Sequence, residues 1–477
     1  MTDPIFSNQS RITWRDYQEQ LRKEEQARKK IRSYASLITV LICIIMLAYY
    51  FGWETAGFIK ATRFYKKLKE TPVAKHGEPA ESEEKPKGES VLYEVPEKYA
   101  FVKKDFHSFL KNKNFSSLQQ KNLDIVSGAN NFRAITTIDM SLQNYIQSIL
   151  DTDNARHIGI VAMDPDSGRI LSMVGYNRED PDLNSCTEVG FPAASIFKFI
   201  TAAGAVEDLG LKAESAMRYN GRNHTLYKSQ MKKTDNKYTK TLSLKASFGK
   251  SINPIFGKIG YYDLKKDGLY NHAMAFGFNS PINFEIPLSE SKIVIDDSPF
   301  NWAEIASGFN RKTTITPVHG ALLISTLFNE GELLEPTLID SMFDGHGRVV
   351  YRAHKETIRK AMESDTVREM KKMMEATISA GTCKKSFRGY NKDRILSKLN
   401  IGGKTGSIDN NDHEERLDWF IGYGEEKNGG GKIVVSVVVG HVKFMGTRAS
   451  QYGKKTMRYY FEHLFAERGN GKKESKG

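Results

Sequence analysis

The chain has 477 residues, 70 Lys and Arg against 57 Asp and Glu, a formal charge of +13, 39% hydrophobic residues and 3 cysteines. That apolar content suffices for a large core and excludes a wholly disordered chain, while so few cysteines exclude a small disulfide-stapled scaffold. The basic residues are spread along the chain with no groove-reading motif beside them, so no nucleic-acid partner is expected.

Residues 1–33 read as a basic tail, with Arg28, Lys29, Lys30 and Arg32 crowded at its end. Ser33 to Trp53 carries no charge, and residues 34–53 read as a transmembrane signal anchor. A helix of that length, at ~1.5 Å per residue, spans the roughly 30 Å hydrocarbon core of a bilayer. Tyr49, Tyr50 and Trp53 suit an interfacial aromatic belt. No small-residue cleavage site follows, and Ile42 before Cys43 is a poor match to the small residue that precedes a lipidated cysteine, so the anchor is expected to be kept. Lys and Arg flank both ends, and the positive-inside rule favours a cytoplasmic N-terminus only modestly.

Residues 54–130 read as a membrane-proximal segment and linker. Within them, 70–90 are rich in Glu, Lys, Pro, Gly and Ser and have little to bury. Residues 91–130 are ambiguous, with a short helical pedestal as the one specific reading. From 131 to 465 the chain runs without a compositional break and reads as one domain, followed by a disordered basic tail at 466–477.

In that domain, 157–164 and 169–175 flank the turn Asp164-Pro165-Asp166-Ser167-Gly168, which predicts an antiparallel hairpin. Residues 195–209 predict a buried helix, and Ala202, Ala203, Gly204 and Ala205 would let neighbours approach it closely. Three strands are predicted in LNIGGKTGS, LDWFIGYG and KIVVSVVVGH. Strands at both ends with helices between them imply an α+β fold, an antiparallel sheet flanked by helices.

A Ser-x-x-Lys spacing puts hydroxyl and amine on one helix face, where the amine can act as general base. The pattern occurs six times, at Ser82, Ser108, Ser195, Ser229, Ser247 and Ser289, so at least five matches are accidental. Context selects Ser195, because it opens the apolar stretch that would desolvate Lys198. A serine at a helix start also gains backbone N–H groups for a developing oxyanion. Ser251-Ile252-Asn253 follows 56 residues later, between two apolar helical stretches, and Lys404-Thr405-Gly406 lies on the first terminal strand. Each triplet alone is weak; the ordered set is not.

The set resembles that of penicillin-binding transpeptidases and serine β-lactamases. ITTIDMSLQ (135–143), AMDPDSGRILSMVG (162–175), WAEIASGFNRKTTITPVHGALLISTLFNEGE (302–332) and DWFIGYG (418–424) are similar to segments of penicillin-binding protein transpeptidase domains. The resemblance covers nearly all of 131–465. It implies a β-lactamase/transpeptidase-like fold and acyl transfer on D-Ala-D-Ala stem peptides, with β-lactam antibiotics as ligands. Ser195 would be the nucleophile, Lys198 its base, and Ser251 a proton relay to the leaving amine. Asn253 would hold the substrate amide, and Lys404 and Thr405 its terminal carboxylate. Gly406 would let an extended peptide lie along the strand edge, with the N–H groups of Ser195 and Ser407 as the oxyanion hole.

The resemblance settles topology in favour of an extracytoplasmic domain on a single-pass inner-membrane anchor. It implies no cofactor, and the 11 histidines show no metal spacing. Residues 53–130 are too few for a glycosyltransferase domain, so a separate glycosyltransferase partner is implied. The family's usual Pro-Gly-Ser approach is here Pro192-Ala193-Ala194-Ser195, and Ser407 replaces a frequent Thr. A D,D-carboxypeptidase would differ only in using water as acceptor. A β-lactamase would need a deacylating element, and no Glu-x-x-Leu-Asn stands between the second and third motifs. An idle β-lactam-binding scaffold is the reading from another class. Cys186 and Cys383 are weighed between a disulfide and two buried thiols, with the thiols favoured.

Overall fold

The computed structural model describes residues 101–110, 113–409 and 414–474. The basic tail at 1–33, the apolar run at 34–53 and the linker at 70–90 lie outside the described residues. Among those described, no helix is long and apolar enough to cross a membrane.

The central sheet has five antiparallel strands: β1 (Ala155–Met163), β2 (Ile170–Asn177), β3 (Leu399–Asp409), β4 (Arg416–Glu426) and β5 (Lys432–His441). Their spatial order is β3-β4-β5-β1-β2. The expected hairpin and three late strands are all present. The two halves of the chain meet where β5 pairs with β1, from Val434 opposite Met163 to His441 opposite Ala155. That order leaves β3 at the sheet edge.

Both faces of the sheet are covered, and the period of two along each strand divides its side chains between them. Leu417, Trp419, Ile421 and Tyr423 enter one core with Val434 and Val438, while Phe420 enters the other with Val435, Val437 and Val439. Eight helices frame the sheet and the site. They are α1 (Met140–Ser148), α2 (Lys198–Leu209), α3 (Leu244–Gly249), α4 (Asn253–Lys258), α5 (Pro299–Ser307), α6 (Pro317–Ser325), α7 (Ser364–Ser379) and α8 (Ala449–Glu474). The first core includes Val318 and Leu322 of α6, which is buried along its whole length. The second takes Tyr452, Met457 and Phe461 from α8. Asp139 caps α1 by accepting from the N–H groups of Ser141 and Leu142, and Thr316 with Pro317 opens α6.

Two boundaries differ from expectation. Among the described residues of 91–130 the one α-helix is Phe106–Leu110, and Asn122–Ser127 is already a strand, paired with Asn130–Thr136. Leu123 and Ile125 are buried between exposed neighbours there, an alternation too short to stand out in the sequence. The tail expected to be disordered from 466 is instead helical to Glu474, and Arg468 pairs with Glu426 at 2.7 Å.

Candidate active site

Residues Phe191–Pro192 pair with Thr314–Ile315, and the chain then turns sharply at Ala194, whose φ is +48°. This left-handed conformation costs an L-residue roughly 1–2 kcal/mol, so alanine here strains the turn that glycine would enter freely. Ser195 sits on the 3₁₀ turn Ala194–Phe197, and α2 begins at Lys198. Gly308 lies against this turn: a Cβ there would fall 1.9 Å from the Ala194 carbonyl oxygen.

Lys198 Nζ lies 2.8 Å from Ser195 Oγ and 2.8 Å from Asn253 Oδ1, and it also donates to the Ser307 carbonyl at the end of α5. A neutral amine has two N–H groups and one lone pair. Asn253 and Ser307 can take the two hydrogens, which leaves the lone pair for the Ser195 hydroxyl proton. Burial, reinforced by the charge of Lys404, holds the Lys198 ammonium well below the usual lysine range. The geometry and the electrostatics therefore agree on a base poised at the hydroxyl.

Ser251 joins α3 to α4 with φ +55°, a second non-glycine residue in the left-handed region. Lys404 Nζ donates to Ser251 Oγ at 3.0 Å and to the Thr405 carbonyl at 2.7 Å. Burial pushes the Lys404 ammonium down to about 7. Asn253 Nδ2 donates to the His224 carbonyl at 3.0 Å, and its second N–H is available for a substrate carbonyl. Ser195, Lys198, Ser251, Asn253, Lys404 and Thr405 thus converge in the fold.

The surroundings of Lys404 and Gly406 bear on the roles implied for them. Lys404 is fully buried behind Ser251, so it cannot meet a carboxylate in the cleft as openly as Thr405 can. Gly406 faces the nucleophile turn: a Cβ there would stand 3.2 Å from both the Ser195 nitrogen and the Ala194 Cβ. Its smallness therefore serves the approach of β3 to Ser195, not only the passage of a peptide.

The cleft has a volume of about 810 Å³, and Ser195, Ser251, Asn253, Thr405 and Ser407 all line it. Several cleft-forming groups went unrecognised in the sequence. Thr382 is bonded to Thr405 through their hydroxyls at 2.6 Å. Asp418 accepts from Ser407 Oγ at 3.2 Å and from Arg448 at 2.8 and 2.7 Å. Burial alone would raise the Asp418 carboxyl, but the His441 and Arg448 side chains and the Ala449 N–H hold it well below the usual range. Asp418 stands at the start of DWFIGYG, and a lone charge in that otherwise apolar run was the available signal. Among the described residues, no three His, Cys, Asp or Glu side chains converge where a metal could sit.

Cys186 and Cys383 are both free and buried, in different cores, so the disulfide is absent. The Cys186 thiol turns toward the carbonyls of Val174 and Ile160 inside the sheet. Desolvation pushes both thiols up to about 12.

Residues 158–460 match the family model described as the penicillin binding protein transpeptidase domain. The chain is 23% identical over 315 residues to the peptidoglycan D,D-transpeptidase PbpA of Mycolicibacterium smegmatis, covering 59% of this chain and 61% of that protein. It is 23% identical over 341 residues to penicillin-binding protein 3 of Bacillus subtilis, covering 65% of this chain and 48% of that one. The chain therefore spans between about half and three fifths of these relatives. The crystal structure of PBPA from Mycobacterium tuberculosis superposes with a TM-score of 0.56 at 20% identity, over 68% of this chain and 79% of that one. The penicillin G acyl-enzyme of the same protein gives 0.56 at 20%, over 70% and 80%.

Proposed function

The chain belongs to the penicillin-binding protein transpeptidase family, and from that premise we propose that it is a membrane-anchored serine D,D-transpeptidase that cross-links peptidoglycan stem peptides. The observation that carries this reading is the 2.8 Å approach of Lys198 Nζ to Ser195 Oγ in a site that disfavours the charged amine.

Lys198 takes the hydroxyl proton as Ser195 Oγ attacks the penultimate D-Ala carbonyl. The tetrahedral oxyanion sits between the N–H groups of Ser195 and Ser407, where losing one donor typically costs roughly 10²–10³ in rate. The peptide C–N bond breaks, Ser251 passes a proton to the departing D-Ala amine, and an acyl-enzyme remains. An acceptor stem's amine then attacks the ester, giving up its proton as Ser195 is released. Thr405, beside Thr382, receives the terminal carboxylate, with the Lys404 charge drawing it from behind. β-Lactams would acylate Ser195 by the same route. The apolar run at 34–53 would hold the domain on the extracytoplasmic side of the inner membrane, close to a glycosyltransferase that supplies nascent strands.

A fluorescent penicillin should label the wild type and not Ser195→Ala. Incubation with pentapeptide donor and an acceptor amine should yield cross-linked dimer and free D-Ala. Free tetrapeptide without dimer would make the protein a D,D-carboxypeptidase. No labelling of correctly folded protein would leave an idle scaffold, the reading that the strained Ala194 favours.

A further inference from the structure

Beside the cleft stands a short β-ribbon, Ala216–Tyr219 against Lys240–Ser243, with the helical turn Lys228–Met231 in its loop. Across 216–243 seven basic residues oppose one acidic residue, Asp235. Arg218 takes up Asp235 at 2.5 Å, and the other six cations have no carboxylate within the ribbon. All seven are exposed. Lys233 lies 4.3 Å over the Tyr262 ring and Lys240 5.5 Å over Tyr219, so both are held on aromatic faces. The crowding is felt nearby: burial and then the charge of Lys233 lower the Lys258 ammonium. Tyr227 and Tyr238 are 61% and 69% exposed and are the ribbon's only exposed large apolar residues.

The ribbon is continuous with the reaction centre. The Asn223 carbonyl accepts from the Asn253 N–H at 2.7 Å, the His224 carbonyl accepts from Asn253 Nδ2 at 3.0 Å, and His224 lines the cleft. A polymer whose side branch occupies the cleft would run onto this surface.

We propose that the ribbon docks the anionic glycopeptide strand that carries the donor stem, its lysines meeting carboxylates of neighbouring stems and Tyr227 and Tyr238 stacking on sugar rings. This rests on reading the cleft as a stem-peptide site. A complementary field of this kind adds on-rate and register more than intrinsic strength. An anionic membrane is the less suitable occupant, because the ribbon exposes no large aliphatic side chain to insert into lipid.

The test uses the full chain, the combined Lys232→Glu, Lys233→Glu and Lys237→Glu variant, and a Tyr227→Ala, Tyr238→Ala variant. Soluble uncross-linked peptidoglycan strands with pentapeptide stems are the probe, at low and high salt. The charge-reversed protein should bind strands about tenfold more weakly, as the loss of three exposed ion pairs implies, and should lose the salt dependence of the wild type. The tyrosine variant should bind more weakly at both salt concentrations. Acylation by a small penicillin should be unchanged in both variants, which also shows that they fold. Strand binding equal to wild type in both variants overturns the proposal. If phosphatidylglycerol vesicles alone distinguish wild type from variant, the patch belongs to the membrane and the proposal likewise fails. Failure of the wild type to react with penicillin would count against the catalytic reading and not against the surface.

Discussion

Trp419 donates from its indole Nε1 to the Pro192 carbonyl at 2.9 Å, joining positions 227 residues apart. The bond pins the approach to Ser195 onto the central sheet, so β4 helps to set where the nucleophile stands. Trp419→Phe puts a smaller ring in a fully buried site and strands the Pro192 carbonyl. The expected loss is about 1–3 kcal/mol of stability, measured by denaturant unfolding, with slower penicillin acylation. Unchanged stability and rate would mean that the turn is held by its other contacts.

Gly308 tests the same turn from the other side. Its φ of +65° and a Cβ position 1.9 Å from the Ala194 oxygen leave no room for a side chain. Gly308→Ala should displace Ser195 and reduce the acylation rate by about 10²-fold in protein that still folds, since a shift near 1 Å is enough for that. Stopped-flow acylation by a chromogenic cephalosporin, alongside circular dichroism, gives the answer.

The two buried lysines set the pH dependence. Acylation kcat/KM should rise with pH on a limb well below the ordinary lysine range as Lys198 loses its proton. It should fall above about 7 as Lys404 loses the charge that draws the substrate carboxylate. Stability should move the other way. Folded Lys404 sheds its proton above about 7, whereas an unfolded lysine keeps it to ~10.4, so unfolding binds a proton across that window and stability rises with pH. Relative to Lys404→Met, the wild type should gain stability between those two values. A flat kcat/KM across the same window would refute the assignment to Lys404.

Cys186 and Cys383 are buried thiols pushed up to about 12, so neither should react as a thiolate in the native protein. Iodoacetamide followed by peptide mapping should find both unmodified until denaturant is added, and reductant should leave the melting temperature unchanged. A cystine-linked peptide containing both would contradict the separate cores.

The elements legible in the sequence were those with a local signal. The hairpin was marked by Asp164 to Gly168, the buried strands by apolar runs, and Ser195 by the apolar helix that follows it. What escaped depends on contacts between distant positions. Asp418 matters because Arg448 and Ser407 reach it, and Asn122–Ser127 is a strand because Asn130–Thr136 lies beside it. Ala194 was legible only as a departure, alanine where the family's approach has glycine; its positive φ shows only in the fold, where Gly308 and Gly406 pack against the turn.

Gly406 separates two accounts of one residue. If the glycine only clears the edge of β3 for an extended peptide, Gly406→Ala should slow reaction with stem peptides and spare small penicillins. A methyl at that position would instead stand 3.2 Å from the Ser195 nitrogen and from the Ala194 Cβ, tight enough to move the amide that receives the oxyanion. The expected outcome is therefore a slower acylation by every substrate, penicillin included, through kcat more than KM, because the lost interaction is made in the transition state. A second change, Ala194→Gly, removes the methyl that the new one would meet, and it should restore part of the rate in the double variant. A penicillin acylation rate equal to wild type in Gly406→Ala would return the glycine to its role at the strand edge.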